Sequence, residues 1–314
     1  MALDEEVNEL LGQQLSEWPQ AADNYAALAG VRVKEFDVDG MHFKVQFNPA
    51  RAVSSGAKVD AASIKARKCF LCAENRPSVQ RGIEWNDDYT ILVNPFPIFP
   101  RHLTIPCNRH VPQAIEGSVV DMLRLAQELR GYTVFYNGAR CGASAPDHFH
   151  FQAGNSDFLP LAANLDGVEM KKLLTHHDST LYLVDSLPIK MFVIDAATPA
   201  EGNVLSIALL HAMPVPDGDY EPMLNMLAYA TSSGTRLVMV PRKRHRPSFY
   251  GTEGDDCMLL SPASVDMGGV FITPRLCDFE RFDTGSIRRV IDELCLNDQE
   301  INSIAEKLLD THGA

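Results

Sequence analysis

Polar and aromatic residues alternate most sharply in His148-Phe-His-Phe-Gln152. On a β-strand, period two puts His148, His150 and Gln152 on one face and Phe149 and Phe151 on the other. Phe43-Lys-Val-Gln-Phe47 alternates in the same way and is stopped by Asn48-Pro49. Residues 89–93, 102–105 and 133–136 read as further strands. Between the first two lies Asn94-Pro-Phe-Pro-Ile-Phe-Pro100, too rich in proline for a regular element. Helical spacing marks residues 5–15, which predicts a surface or partner-contacting helix. It also marks Ile115, Val119, Met122, Ala126 and Leu129. The polar, mixed stretch 51–67 predicts an ordered loop.

Gly154-Asn-Ser-Asp157 breaks the pattern, and a boundary near Pro160 divides the chain into residues 1–160 and 161–314. Beyond it, residues 181–184, 191–194, 236–240 and 270–272 read as strands and 222–230 as a helix. Two helices close the chain. One carries Ile287, Val290, Ile291 and Leu294; the other carries Ile301, Ile304, Ala305 and Leu308, with Asn297 and Glu300 placed for a capping box. No clear repeat relates the two halves. Strands close enough to pair antiparallel, with a few helices, predict an α+β fold.

The chain has 314 residues, enough for one large domain or two ordinary ones. Its formal net charge is −13. Such a surface repels nucleic acid, so an anionic substrate needs a local basic pocket. No apolar run reaches membrane-spanning length, and the acidic start Met1-Ala-Leu-Asp-Glu-Glu lacks a signal-like apolar region. Seven cysteines, an odd number spread along the chain, suit reduced thiols in a cytoplasm.

Candidate chemistry gathers at two places. Before the His-Phe-His run lies a small-residue loop with Asn137, Gly138, Gly142, Ala143 and Ser144. Backbone N–H groups in such a loop can approach a phosphate closely. On the strand face, His148 and His150 would lie roughly 6–7 Å apart, far enough to serve adjacent sites, one as metal ligand and one as nucleophile. The bland reading is an exposed polar face. Upstream, Cys69-Phe-Leu-Cys72 suits half of a tetrahedral zinc site, a redox pair, or two buried small residues. His110 and His148 are candidates for the other two ligands. Anion partners are candidates at Arg51, Lys58 and Arg76. Another is Arg242 within Pro241-Arg-Lys-Arg-His-Arg-Pro247, the densest basic run, which alternatively forms a solvated face.

Residues 137–152 resemble the active-site signature of the galactose-1-phosphate uridylyltransferase branch of the histidine-triad superfamily. There an Asn precedes a Gly-x-Ser loop and His-x-His-x-Gln ends the motif. Cys69, Cys72, His110 and His148 match that family's zinc ligands, and residues 94–106 are similar to its preceding strand pair. The likeness is firm over residues 43–154 and extends to phosphorylase relatives. It implies two histidine-triad-like halves with antiparallel sheets flanked by helices, a structural zinc, and a possible homodimer. The implied activity takes a nucleoside monophosphate from a nucleoside diphosphate sugar or dinucleoside polyphosphate, through a nucleotidyl-histidine on His150, to phosphate or a sugar phosphate. Asn137, Gly142, Ser144, Arg51 and Arg242 would bind substrate. Gln152 stands where the superfamily's hydrolases carry a third His. An amide donates a hydrogen bond but shuttles no proton, which favours transfer over hydrolysis. A hydrolase and an inactive zinc-stabilised nucleotide binder are the alternatives. Asp147 departs from the signature, and strand alternation points it away from His148.

Overall fold

The computed structural model describes residues 2–51, 61–251 and 257–312. The first half contributes β3 (Gly82–Trp85), β4 (Tyr89–Val93), β5 (His102–Pro106), β6 (Tyr132–Asn137) and β7 (His150–Asn155). The second contributes β8 (Lys171–His176), β9 (Ser179–Val184), β10 (Met191–Ala196), β11 (Leu224–Ala230) and β12 (Thr235–Pro241). All ten join one antiparallel sheet in the order β3-β4-β5-β7-β6-β11-β12-β10-β9-β8. Read from either edge inward, the plan is the same. Three sequential strands lie side by side, a helix crosses over, and the next strand takes the centre. The crossovers are helix Val119–Glu128 and helix Pro199–Ala212. The central strands β6 and β11 pair with each other, Phe135 against Leu227 and Asn137 against Asn225.

Alternation along the strands sorts side chains onto two buried faces. Tyr132, Val134, Tyr136, Phe149, Phe151, Met226 and Met239 point one way, against Met122, Leu123, Leu205, Leu209 and Ile304 of the helices. Phe135, Met191, Val193, Leu227, Val238 and Val240 point the other way. There they meet a small sheet of β1 (Arg32–Val38), β2 (Met41–Phe47) and β13 (Val270–Thr273), with helices Leu276–Arg281 and Thr284–Leu294. Phe43 stacks on Phe271 at 5.8 Å between centroids. Each such fully buried side chain contributes about 1.5–3 kcal/mol.

The α+β architecture with antiparallel sheets and flanking helices is as expected. Several elements differ. Residues 224–230, expected to be helical, form β11. Both faces of a central strand are buried, so its run of Leu, Met and Ala lacks the alternation that marks a half-exposed strand. Residues 61–66, expected in a loop, form helix Ala61–Ala66. The first helix, Leu3–Glu17, lies at the surface with one face turned inward. Its Val7, Leu10 and Leu11 are buried against the chain's own core. Among the described residues no helix is long and apolar enough to cross a membrane.

Candidate active site and metal centre

Strand β7 starts at His150, so His148 lies in the bend before it rather than on the strand face. That bend turns His148 toward the Cys69–Cys72 knuckle. The side-chain amide of Asn75 donates to Cys69 O at 3.0 Å and Arg76 Nε to Leu71 O at 2.8 Å, which fixes the knuckle's turn. Leu71 packs with Ala145 of the signature loop. Cys69 Sγ lies 3.2 Å from His148 Nδ1, and Cys72 Sγ lies 3.1 Å from His110 Nδ1 and 3.5 Å from His148 Nδ1. All four ligand atoms fall within 4.8 Å of one another, so the cluster could hold a metal ion. The donor set passes a stricter test. Tetrahedral Zn–S and Zn–N bonds of about 2.3 and 2.0–2.1 Å put neighbouring S and N atoms roughly 3.5 Å apart. The outward nitrogens are also placed as ligating imidazoles require. His148 Nε2 donates to Cys107 O at 2.7 Å, and His110 Nε2 faces Asp147 at 3.6 Å. The other oxygen of Asp147 accepts from Arg67 Nη2 at 2.6 Å.

His150, on β7, opens into a cavity of about 510 Å³ with Asn137, Gly142, Ser144, Gln152 and Thr104. Its Nδ1–H donates to the carbonyl of His148 at 2.8 Å. A carbonyl can only accept, so the proton sits on Nδ1 and the Nε2 lone pair is available. Burial lowers the imidazole's pKa to about 4, against the opposing pull of that carbonyl. At neutral pH the His150 ring is therefore neutral, with Nε2 unprotonated.

Its neighbours are oriented with equal definition. Asn137 Oδ1 accepts from the Ser264 N–H at 2.8 Å and from the Asn225 amide at 3.4 Å, which leaves its NH2 for the cavity. Gln152 Oε1 accepts from His102 Nε2–H at 3.0 Å, while His102 Nδ1 accepts from Ile98 N–H at 3.2 Å. That leaves the NH2 of Gln152 as its other end, and Gln152 lines the cavity. Gln113 Oε1 accepts from His150 N–H at 2.8 Å, and its Nε2 donates to His150 O and Asn137 O, each at 3.0 Å. Gly142 has φ of +103°, and a Cβ there would meet the Ala263 Cβ at 2.5 Å. The Ala143 amide turns inward to Gly138 O at 3.4 Å, so it is spent on the loop's own turn.

Trp18, Leu71, Leu92, Pro95, Phe96 and Ile98 contribute apolar lining to the cavity. The second half adds Ser261, Ala263 and Asp266. Burial raises the Asp266 carboxyl to about 7.

Of the expected site residues, His150, Gln152, Asn137, Gly142 and Ser144 meet at this cavity, and Cys69, Cys72, His110 and His148 meet behind it. Arg242 is elsewhere. Its buried guanidinium donates to Asn225 Oδ1 and to the carbonyls of Arg244 and His245 at 3.2 and 3.0 Å. It reaches the loop only through Asn225, whose amide donates to Cys141 O at 2.8 Å. The side chain of Arg51 and all of Lys58 lie outside the described residues. His102, Gln113, Asn225 and Arg67 went unrecognised in the sequence. For His102 a signal existed, because His102 and Thr104 share a face by the same alternation as His150 and Gln152. Gln113 and Asn225 carry none.

The large sheet, covered by helices on one face and by the small sheet and its helices on the other, thus presents a buried histidine beside a small-residue loop with a Cys2His2 cluster behind it. Comparison agrees at the level of the fold. The chain superposes on yeast Ap4A phosphorylase Apa2 in complex with AMP with a TM-score of 0.57 and 18% identity, covering 91% of this chain and 97% of that one. For Apa2 in complex with Ap4A the values are 0.56 and 16%, covering 89% and 97%. Residues 10–155 match a family described as a domain of unknown function, DUF4922. No curated protein matches the chain.

Proposed function

We propose that this protein is a nucleotidyltransferase or phosphorylase that works through a covalent nucleotidyl-histidine on His150. The observation that carries this reading is the state of His150: buried, neutral, with Nδ1–H held by a carbonyl and Nε2 open to the cavity. Nε2 attacks the α-phosphorus of a dinucleoside polyphosphate or nucleoside diphosphate sugar, the N–P bond forms, and the bond to the leaving phosphate oxygen breaks with its electron pair. An acceptor oxygen, from phosphate or a sugar phosphate, then displaces Nε2 in the reverse sense. Splitting the substitution this way leaves positioning and charge stabilisation as the protein's main work. The amides of Asn137 and Gln152 and the hydroxyl of Ser144 supply donors to the phosphoryl oxygens. The Gln152 amide cannot relay a proton to activate water, which favours transfer over hydrolysis.

We further read Cys69, Cys72, His110 and His148 as a structural zinc site. Bound zinc would fix the bend that presents His150, with no part in the phosphorus chemistry. The sheet order supports a division into two histidine-triad-like halves near residue 160.

The test is incubation with radiolabelled Ap4A and with UDP-, GDP- and ADP-sugars. Acid-labile label on the protein, absent in His150→Ala, is the expected result. No label from any donor overturns the reading, and label chased by water as fast as by phosphate converts it to hydrolysis. Metal analysis checks the zinc. Less than about a tenth of an equivalent per chain is incompatible with a tightly bound structural ion.

A further inference from the structure

The cavity takes a polyanion in this reading, yet its described lining holds a single cationic side chain, Arg67. Arg67 sits between helix Ala61–Ala66 and the metal knuckle, and its side chain is 24% exposed. One arm of its guanidinium is committed, Nη2 donating to Asp147 Oδ1 at 2.6 Å. The ring of Phe70 lies 5.2 Å from its central carbon. The other arm, Nη1, is buried and has no hydrogen-bond partner among the described residues. A buried charged N–H without a partner is costly, and a planar guanidinium held by one arm presents the other in a fixed direction.

We propose that Arg67 is the cation that binds the non-transferred phosphate: the leaving phosphate of the donor and, in the return step, the acceptor. The assignment to these two roles rests on the transfer reading above; the anion site itself does not. In-line substitution at phosphorus puts the leaving oxygen opposite Nε2 of His150. The acceptor oxygen must enter from that same apical position to expel Nε2. Leaving group and acceptor therefore occupy one site in turn, and one cation serves both. Asp147 completes the device. Its two oxygens face Arg67 and the metal ligand His110, which ties the anion site to the knuckle. Its carboxylate also offsets part of the guanidinium charge, so the anion can leave again. Water carries no charge for Arg67 to attract, so the residue biases the nucleotidyl-histidine toward phosphate.

The experiment uses the metal-loaded full chain. Calorimetric titration with inorganic phosphate and inorganic triphosphate should show binding that weakens roughly 10- to 100-fold in Arg67→Gln. Arg67→Lys, which keeps the charge and loses the fork, should fall between. In turnover the KM for phosphate and the KM for the nucleotide donor should both rise. Metal content and melting temperature report whether the knuckle has survived. A second measurement needs no variant: phosphate should slow modification of Arg67 by phenylglyoxal, read by peptide mapping. Arg67→Gln with unchanged phosphate affinity, or Arg67 modified equally fast with and without phosphate, overturns the proposal. Protection of Arg67 in a protein that forms no labelled histidine upholds the anion site and removes only the transfer reading.

Discussion

The two halves of the large sheet share one plan and differ in what covers them. On the face toward the small sheet, the second half presents Met191, Val193, Val238 and Val240, which pack beneath β2, β13 and the C-terminal helices. On the same face, the first half presents His150, Gln152, Asn137 and Thr104, which open into the cavity. The backbone geometry is the same antiparallel ladder in both. Where the layer above is continuous, apolar side chains fill it and contribute stability. Where it is interrupted, polar groups are held by hydrogen bonds with one functional end left over. The second half is thus a stabilising frame that also lends Ser264 and Asn225 to orient Asn137.

Substitutions on the two sides should separate stability from chemistry. The largest effect is expected for His150→Ala, with labelling and turnover lost by about three orders of magnitude or more and little change in melting temperature. Its counterpart is Val193→Ala, which should cost about 1–2 kcal/mol in denaturant unfolding while turnover per folded molecule is kept. A Val193 variant that lost turnover without losing stability would break the division. Next comes the metal. Cys69→Ser, or prolonged chelation, should lower both metal content and melting temperature and take turnover with them, because the bend at His148 presents the nucleophile. His102→Ala should reduce kcat roughly tenfold, since it frees the Gln152 amide to rotate, and should cost about 1–3 kcal/mol of stability by leaving the buried Ile98 N–H unpaired. The smallest effect concerns Asp266. Its raised carboxyl pKa means the neutral acid dominates below about 7 and the carboxylate above. Phosphate affinity should therefore weaken a few-fold as pH rises through about 7, and Asp266→Asn should flatten that profile. The same shift makes Asp266's stability contribution largest below the ordinary carboxylate range, and it is lost as pH rises through about 7.

Much of the site was legible because its chemistry is local in sequence. Residues 137–152 bring loop, buried histidine and amide together around one hairpin connection, and Cys69–Cys72 declares itself by spacing. The metal cluster needed only His110 and His148 to be added. What could not be read was long-range. Asn225 and Ser264 act on Asn137 across 88 and 127 residues, and no periodicity encodes such a contact. Arg242 shows the converse error. A basic run suggested a phosphate partner, whereas its carbonyl partners make it an internal tie. Two further elements failed for opposite reasons. In β11 the apolar run lacked alternation. For β1, the Asp39-Gly40 pair that turns it into β2, with φ of +49° and +83°, was a usable signal left unread.

Gln113 gives the active site a property that the residue inventory does not convey. Regular pairing of β6 with β7 ends at Phe135 opposite Gln152, and the rung that would follow joins Asn137 to His150. That rung is missing because the Gln113 amide stands in it, accepting from one strand and donating to both. A side chain thus imitates a peptide group and splits the ladder like a wedge in a fork. The gap between Asn137 and His150 is accordingly set by the length of one amide, and the floor of the cavity is a strand pair held unzipped.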